Sequence, residues 1–253
     1  MKSGFFAALY QSSATIGFLL GNKRKFMNLG FLQSTNYLIA RDEKDAHHIA
    51  LYRKLIDLVP NIKQEVANFS ALEIGCGRGG GSYVLKQYYR IPYITAVDLS
   101  SANIRIAKKL VPGVDFIVSD AVDFTTDKKF DIIINLESSH RYSSRSDFFQ
   151  NVSSMLNSDG YFVFGDMIRK NELETIEQTL KKSGLKIIQV ETANSGVTAS
   201  IEKFSPKQYP LATAFPFLFP NRIHSFFVTI HSRAYNKLKN GDVLYNLYLL
   251  KKV

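Results

Sequence analysis

The sequence predicts an α/β fold built around a nucleotide-binding sheet, and three observations lead to that prediction. An apolar run at residues 71–74 ends in a glycine-rich loop, Gly75-Cys76-Gly77-Arg78-Gly79-Gly80-Gly81. A helical stretch follows the loop at residues 82–90. Further apolar runs then alternate with amphipathic stretches along the chain. A strand, a tight turn and a helix in this order open the sheets that bind nucleotide cofactors.

The composition fits one globular unit with an excess of positive charge. The chain has 253 residues, 45% of them hydrophobic, and a formal net charge of +10. Its basic residues occur in scattered pairs such as Lys108-Lys109, which is typical of a solvated surface. Attraction to an anionic membrane is the alternative, and no basic stripe with interleaved aromatic residues favours nucleic acid. We therefore expect a cytoplasmic protein, with peripheral membrane contact left open and no prediction of oligomeric state.

Residues 1–70 are expected to form an N-terminal helical lid. Residues 1–21 are apolar in two blocks, but polar residues from Gln11 to Thr15 interrupt them, which argues against a membrane span. No good cleavage site indicates a signal peptide. Residues 46–59 have the periodicity of an amphipathic helix, which Pro60 ends. We expect these helices to pack over the active site.

The remaining elements follow in order along the chain. Apolar runs predict strands at residues 93–99, 114–118, 130–137, 161–165, 185–190 and 245–250. Helices are predicted from residue 101 onwards and at residues 146–156, 171–183 and 234–239. Residues 204–227 are rich in aromatic residues and proline and are too irregular for a strand. The cofactor-binding core therefore spans residues 71–203, an insertion over the acceptor pocket spans 204–233, and residues 234–253 complete the core.

Acidic residues end the first three predicted strands, where a nucleotide cofactor would meet them. Glu73 can accept hydrogen bonds from an ammonium group. Asp98 can accept them from two ribose hydroxyls, although it could instead cap the next helix. Asp120, followed by Ala121, can bind the exocyclic amine of adenine. S-adenosylmethionine (SAM) and NAD both carry the ribose, and the glycine spacing fits the loops that bind either, so the loop and Asp98 leave two cofactors open.

Several motifs taken together resemble the class I SAM-dependent methyltransferases. They are Glu73-x-Gly75-x-Gly77-x-Gly79, Asp98, Asp120-Ala121 and Phe130-Asp131. Residues 27–30, 75–81, 135–142 and 232–241 are more narrowly similar to the phthiotriol/phenolphthiotriol dimycocerosates methyltransferase group. The resemblance implies a Rossmann-like, seven-stranded mixed sheet with SAM as cofactor. It also implies transfer of a methyl group to a hydroxyl oxygen of a lipophilic, polyketide- or lipid-like molecule.

The resemblance further implies which side chains and loop positions contact SAM. The expected cofactor-binding residues are Glu73, Gly75, Cys76, Gly77, Gly79, Asp98, Leu99, Asp120, Ala121 and Asn135. The segment at residues 27–30 is expected to approach the active site. Because Cys76 lies within the loop and is the only cysteine, we expect it to pack there rather than to act as a nucleophile.

Two residues at the carboxyl edge of the sheet are expected to carry the chemistry. His140 follows the fourth predicted strand, and Asp166 follows the fifth. Histidine suits a general base near neutral pH, and an acid beside it could orient it or share the proton. The alternatives are a structural hydrogen-bonding role for His140 and a helix cap for Asp166. No metal site is predicted, because the adjacent His47 and His48 should point in different directions on a helix.

Three other functions stay open at this point. An NAD-binding oxidoreductase and a non-catalytic, membrane-associated binding protein are the alternatives from other classes. Among methyltransferases, the alternative is a C-methylating enzyme acting on a sterol- or tocopherol-like isoprenoid.

Overall fold

The computed structural model describes residues 24–32, 45–63, 68–209, 228–230 and 232–253. The expected N-terminal helix at residues 1–21 lies outside these residues. So do residues 210–227, which form most of the predicted insertion. The predictions for these two segments therefore have no structural counterpart below.

A seven-stranded sheet forms the centre of the described part. Its strands are β1 (Ser70–Ile74), β2 (Tyr93–Asp98), β3 (Asp115–Val118), β4 (Phe130–Leu136), β5 (Leu156–Arg169), β6 (Leu185–Thr192) and β7 (Val243–Lys252). Their order across the sheet is β3-β2-β1-β4-β5-β7-β6. Strands β1 to β5 pair in parallel, and β7 pairs antiparallel with both β5 and β6. The predicted α/β fold with a seven-stranded mixed sheet is confirmed.

Helices connect the strands and cover the sheet. They are α1 (Ala46–Ile56), α2 (Gly80–Tyr88), α3 (Ser101–Leu110), α4 (Arg145–Met155), α5 (Leu173–Lys182), α6 (Asn194–Gln208) and α7 (Arg233–Asn240). Serine side chains cap three of them by accepting a hydrogen bond from the main-chain N–H three residues on: Ser100 for α3, Ser144 for α4 and Ser232 for α7. Short 3-10 turns lie at Ser139–Arg141 and Lys170–Glu172.

Strands β5 and β7 are longer than the sequence predicts. Their antiparallel pairing runs without interruption from Tyr161 opposite Lys251 to Arg169 opposite Val243. This ladder extends β5 four residues beyond the predicted end at Gly165, because each added residue gains a main-chain partner on β7. Asp166 therefore lies within β5 and not after it, so its predicted position was wrong.

Helix α6 was not predicted, and it contains the start of the expected insertion. Asn194, Gly196 and Pro206 are poor helix formers, so sequence propensity hides this helix. Tertiary contacts hold it instead: the amide of Asn194 donates to the carbonyls of Leu238 and Val243, at 2.8 Å each. Residues 204–208, expected to be irregular, form the last part of this helix.

Helix α1 is part of the core. Eight of its eleven residues are buried, including Ile49, Leu51 and Leu55, which join the apolar cluster that covers one face of the sheet. The helix ends at Ile56, three residues before the predicted end. Its buried Tyr52 reaches the end of β1, so α1 contributes directly to the site below.

Candidate active site

The glycine loop joins β1 to α2 and is fixed by the neighbouring strand. Gly75, Gly77 and Gly79 have φ angles of 75°, 52° and 83°, which L-residues with side chains rarely adopt. The N–H groups of Gly75 and Cys76 both donate to the carbonyl of Val97, at 2.8 and 3.0 Å. Cys76 is buried, and burial raises the pKa of its thiol well above the ordinary value. Its side chain packs in the loop, as the sequence predicts.

The carboxylate of Glu73 is hydrogen-bonded to the start of α2 and does not face an open cavity. Its carboxylate accepts hydrogen bonds from the N–H groups of Gly81 and Ser82, from the Ser82 hydroxyl and from the Tyr52 hydroxyl, at 2.6–3.1 Å. Burial raises its pKa to about 7, against the lowering effect of these bonds. These four hydrogen bonds occupy both oxygens of Glu73. Its expected contact with an ammonium group therefore gains no support from this geometry and stays a prediction.

Asp98 ends β2 directly beside the glycine loop. Its two oxygens accept from the N–H groups of Gly77 and Ser100, both at 2.9 Å. Burial raises the pKa of Asp98, against the opposing effect of these two hydrogen bonds. Leu99 follows with 43% of its surface exposed, and Val118 at the end of the adjacent β3 is 51% exposed. An acid flanked by two exposed apolar side chains suits a ribose with a flat purine beside it.

Asp120 and Ala121 lie in the turn after β3. The Oδ1 atom of Asp120 accepts from the N–H of Val122, at 2.9 Å, while Ala121 is buried. Asp120 is only partly buried, and none of the described residues donates a hydrogen bond to its other carboxylate oxygen. The structure thus brings Asp98, Leu99, Asp120 and Ala121 to one edge of the sheet.

Asn135 links the glycine loop to the residues after β4. Its amide nitrogen lies within hydrogen-bond distance of the Ile74 carbonyl and of the Ser138 and Tyr142 hydroxyls, at 2.7–2.9 Å, so its two N–H groups are shared among three acceptors. Its carbonyl oxygen is buried and has no hydrogen-bond partner among the described residues. A buried acceptor without a donor is unfavourable by itself, which indicates that another group completes the site.

His140 and Asp166 form a hydrogen-bonded pair at the carboxyl edge. The Nδ1 atom of His140 lies 2.7 Å from Oδ1 of Asp166. The carboxylate also accepts from the Ser139 hydroxyl at 2.6 Å and from the N–H groups of His140 and Met167, at 3.0 and 2.8 Å. Asp166 is fully buried, whereas the His140 side chain is 26% exposed. The pair thus has one rigid, buried end and one accessible end.

The charge state of this pair follows from those contacts. Burial by itself would raise the pKa of Asp166, but the His140 imidazole and the hydrogen bonds from His140, Ser139 and Met167 outweigh it and lower the pKa. An ionised Asp166 favours a proton on Nδ1 of His140, which leaves Nε2 as the acceptor. Consistent with that tautomer, Nε of Arg141 donates to Nε2 at 3.2 Å.

Sequence reasoning missed Glu137 as a site residue. It follows β4 with a φ of 54°, which is rare for a residue with a side chain. Its carboxylate accepts from the Tyr245 hydroxyl at 2.6 Å and from the N–H of Leu29 at 3.0 and 3.1 Å. Burial raises its pKa to about 7. Its position directly after the apolar run 130–136 could have indicated Glu137 as a site residue, although the sequence does not reveal the strained backbone.

Glu137 also ties the segment at residues 27–30 to the end of β4. The carbonyl of Leu29 accepts from the Ser200 hydroxyl at 2.9 Å, and the Asn28 amide donates to the carbonyl of His48 at 3.1 Å. The segment therefore runs between α1, α6 and the carboxyl edge of the sheet.

The prediction that His47 and His48 diverge was wrong. Their ring centroids lie 3.9 Å apart, and both Nε2 atoms contact the side-chain amide of Gln208, at 3.3 and 3.2 Å. Burial lowers their pKa values to about 4 and about 3, so both are neutral at neutral pH. Both residues lie in the first turn of α1, and the ring of His47 also stacks against Phe204. Within the described ranges, no three His, Cys, Asp or Glu residues group as a metal site.

Comparisons with known proteins agree with this geometry. The family described as "Methyltransferase domain" matches residues 72–164. A phthiotriol/phenolphthiotriol dimycocerosates methyltransferase of Mycobacterium tuberculosis is 30% identical over 220 residues, covering 85% of this chain and 79% of the relative. A fatty-acid O-methyltransferase of Mycolicibacterium smegmatis is 27% identical, covering 90% of this chain and 83% of the relative.

Solved structures support the fold. An O-methyltransferase of a Brevibacillus brevis polyketide synthase, in complex with S-adenosyl-L-homocysteine, aligns at a TM-score of 0.67 with 15% identity, over 91% of this chain and 85% of that one. The [4+2]-cyclase SpnF aligns at 0.72 with 16% identity, over 97% and 95%. At such identities the likeness concerns the fold alone.

The fold, the glycine loop and the matched domain define a SAM-dependent methyltransferase, and SAM is its cofactor. Within that class, the relatives that match most of the chain's length indicate a narrower group. The chain belongs to the phthiotriol/phenolphthiotriol dimycocerosates methyltransferase group of class I methyltransferases. No helix among the described residues is both long and apolar enough to cross a membrane.

Proposed function

We propose that this enzyme transfers a methyl group to a hydroxyl oxygen of a lipophilic, polyketide- or lipid-like molecule. The observation that carries the proposal is the His140–Asp166 pair, because an alcohol is a poor nucleophile until its proton is removed. The two relatives named above act on lipids according to their names, and one is named as an O-methyltransferase. These names support a lipophilic acceptor and transfer to oxygen.

The cofactor side of the site fits SAM. When bound, SAM supplies an electrophilic methyl group. We assign the ribose to Asp98, the adenine to Leu99 and Asp120-Ala121, and the rest of the molecule to Gly75, Cys76, Gly77 and Gly79 with Asn135. The unpaired, buried carbonyl oxygen of Asn135 is an acceptor that suits the cofactor's ammonium group. Glu73 supports this side indirectly, by holding the start of α2.

On the acceptor side, His140 and Asp166 have separate roles. His140 accepts the proton of the acceptor hydroxyl at Nε2, the ring nitrogen that does not face Asp166. Asp166 is a positioning residue: it holds Nδ1–H, fixes the ring and stabilises the imidazolium that forms. The Arg141 guanidinium, now on Nε2, has to move aside for the acceptor.

Labelled SAM and lipid extracts test the proposal. Cells with the active gene should contain a lipid about 14 Da heavier than its counterpart in cells without it, and the purified enzyme should transfer the labelled methyl group to that counterpart. We expect the product to contain the added methyl group as an acid-stable methyl ether. A new carbon–methyl bond would instead establish the C-methylating alternative, and a SAM-binding protein with no turnover on any extract would contradict the proposal.

A further inference from the structure

A groove of about 720 Å³ opens beside His140. It is lined by residues of the 3-10 turn after β4, of α4, of the ends of β5 and β7, and of α7. Four of its lining side chains are cationic: Arg145, Arg169, Arg233 and Lys237. A single carboxylate, Glu172, lines the same space.

The one carboxylate cannot neutralise this charge. Glu172 lies 4.0 Å from Arg145 and 3.7 Å from Arg169, so two guanidinium groups share it. Within the described part of the chain, the side chains of Arg233 and Lys237 form no ion pair. They stand one helical turn apart on α7, which presents both on one face. The groove therefore keeps an excess of positive charge.

The position of the groove connects it with the reaction. Met167, Arg169 and Val243 belong to the carboxyl end of β5 and the start of β7, the edge at which open α/β sheets bind ligands. His140 lies on its wall. A group held by the four cations would therefore belong to a molecule that also reaches Nε2 of His140.

We propose that this groove binds an anionic group of the acceptor, a carboxylate or a phosphate, beside His140. The inference rests on the proposed function only in assigning the bound molecule as the acceptor. Arginine guanidinium groups match both anions with two parallel hydrogen bonds, and a lysine adds a point charge. The acceptor is then an amphiphile: an anionic head near the reacting oxygen, joined to an apolar chain.

Equilibrium binding tests this without any turnover. Dodecanoate, dodecyl phosphate and dodecanol, each below its micelle concentration, would be titrated into the full chain saturated with S-adenosylhomocysteine. The two anions should bind at least about tenfold more tightly than the alcohol, a preference that should shrink as salt is raised. In the double variant Arg233→Gln/Lys237→Gln, most of this preference should disappear.

A matched control removes the same charge elsewhere. Lys181→Gln/Lys182→Gln takes two exposed cations from the end of α5, away from the groove, and should keep the preference. Melting temperatures would verify that both variants fold. Equal binding of dodecanol and the anions by the wild type, or equal losses in the two double variants, would overturn the inference.

Vesicles separate an acceptor head group from a membrane surface. If the groove instead binds lipid bilayers, Arg233→Gln/Lys237→Gln should weaken binding to phosphatidylglycerol vesicles and leave monomeric dodecanoate unaffected, which would also overturn the inference. Failure of the proposed function looks different: the anion preference would persist while no methyl transfer occurs. Methyl transfer with no anion preference would refute the groove alone.

Discussion

The acids on the two sides of the sheet's carboxyl edge have different hydrogen-bond donors. On the cofactor side, Asp98 is held by main-chain N–H groups alone, and Glu73 by two N–H groups at the start of α2 together with the Tyr52 and Ser82 hydroxyls. On the acceptor side, Asp166 and Glu137 also accept from main-chain N–H groups, but the His140 ring and the Ser139 hydroxyl donate to Asp166 as well, and the Tyr245 hydroxyl donates to Glu137. Asp98 therefore depends on backbone shape, whereas the acids of the acceptor side depend in addition on which side chains carry protons.

The largest expected effect tests the backbone of the cofactor side. A Cβ atom at Gly75 would meet the Ser138 hydroxyl and lie 2.8 Å from Ser138 Cβ and 3.0 Å from the Tyr142 hydroxyl, at a φ of 75°. Gly75→Ala should lower the free energy of unfolding by about 2–5 kcal/mol through clash and strain, and should weaken SAM binding. Urea denaturation and calorimetry would measure both.

Gly241 provides the matched control. It has a φ of 77°, but a Cβ atom there would meet nothing within 4 Å. Gly241→Ala should therefore show the backbone strain alone, about 1–2 kcal/mol, with unchanged SAM affinity. Equal effects of the two substitutions would mean that the close approach of the loop to Ser138 has no energetic weight.

The next effect concerns a single acid of the cofactor side. Asp98→Ala removes a charged acceptor, for which each hydrogen bond contributes about 1.5–3 kcal/mol, so SAM should bind at least about tenfold more weakly. Asp98→Asn keeps the size and one acceptor oxygen and should fall between the wild type and the alanine variant. Calorimetric titration with SAM would show this, and an unchanged affinity in Asp98→Ala would contradict the ribose assignment.

An effect of similar size is a pH dependence on the acceptor side. Because burial raises the pKa of Glu137 to about 7, folding favours its protonated form. This contribution is complete below the ordinary carboxyl pKa and is lost as the pH rises through about 7. Between pH 5 and pH 8, wild-type stability should fall by about 1–3 kcal/mol relative to Glu137→Gln. Urea denaturation of both proteins at several pH values would measure this difference. If the free energies of unfolding of the two proteins changed equally with pH, the pKa of Glu137 would not be raised and the prediction would be wrong.

The sequence predicts the cofactor side better than the acceptor side. The glycines at residues 75–79 and Asp98 follow directly from apolar runs, and local spacing fixes their position. Sequence analysis does not find Glu137, because a left-handed backbone has no sequence signature in a residue that is not glycine. It does not find the groove either, because Arg145, Arg169 and Arg233 come from separate elements that only the fold brings together.

The same limit applies to element boundaries. The length of β5 depends on its pairing with β7, which lies about 80 residues later in the chain, and α6 depends on the hydrogen bonds of Asn194. Local residue propensities reflect neither of these long-range contacts. The seven-stranded mixed sheet, in contrast, follows from the resemblance to a known family, and the structure confirms it.

The separation of the two sides is tested most directly by one variant with two measurements. His140→Ala should lower the turnover number about 10²–10⁴-fold, because removal of a general base typically has that effect. Its dissociation constant for SAM, from calorimetry, should stay within about twofold of the wild type, since the hydrogen bonds of His140 join it to Asp166 and Arg141, neither of which is assigned to the cofactor. Near wild-type turnover, or SAM affinity lost together with activity, would contradict the account.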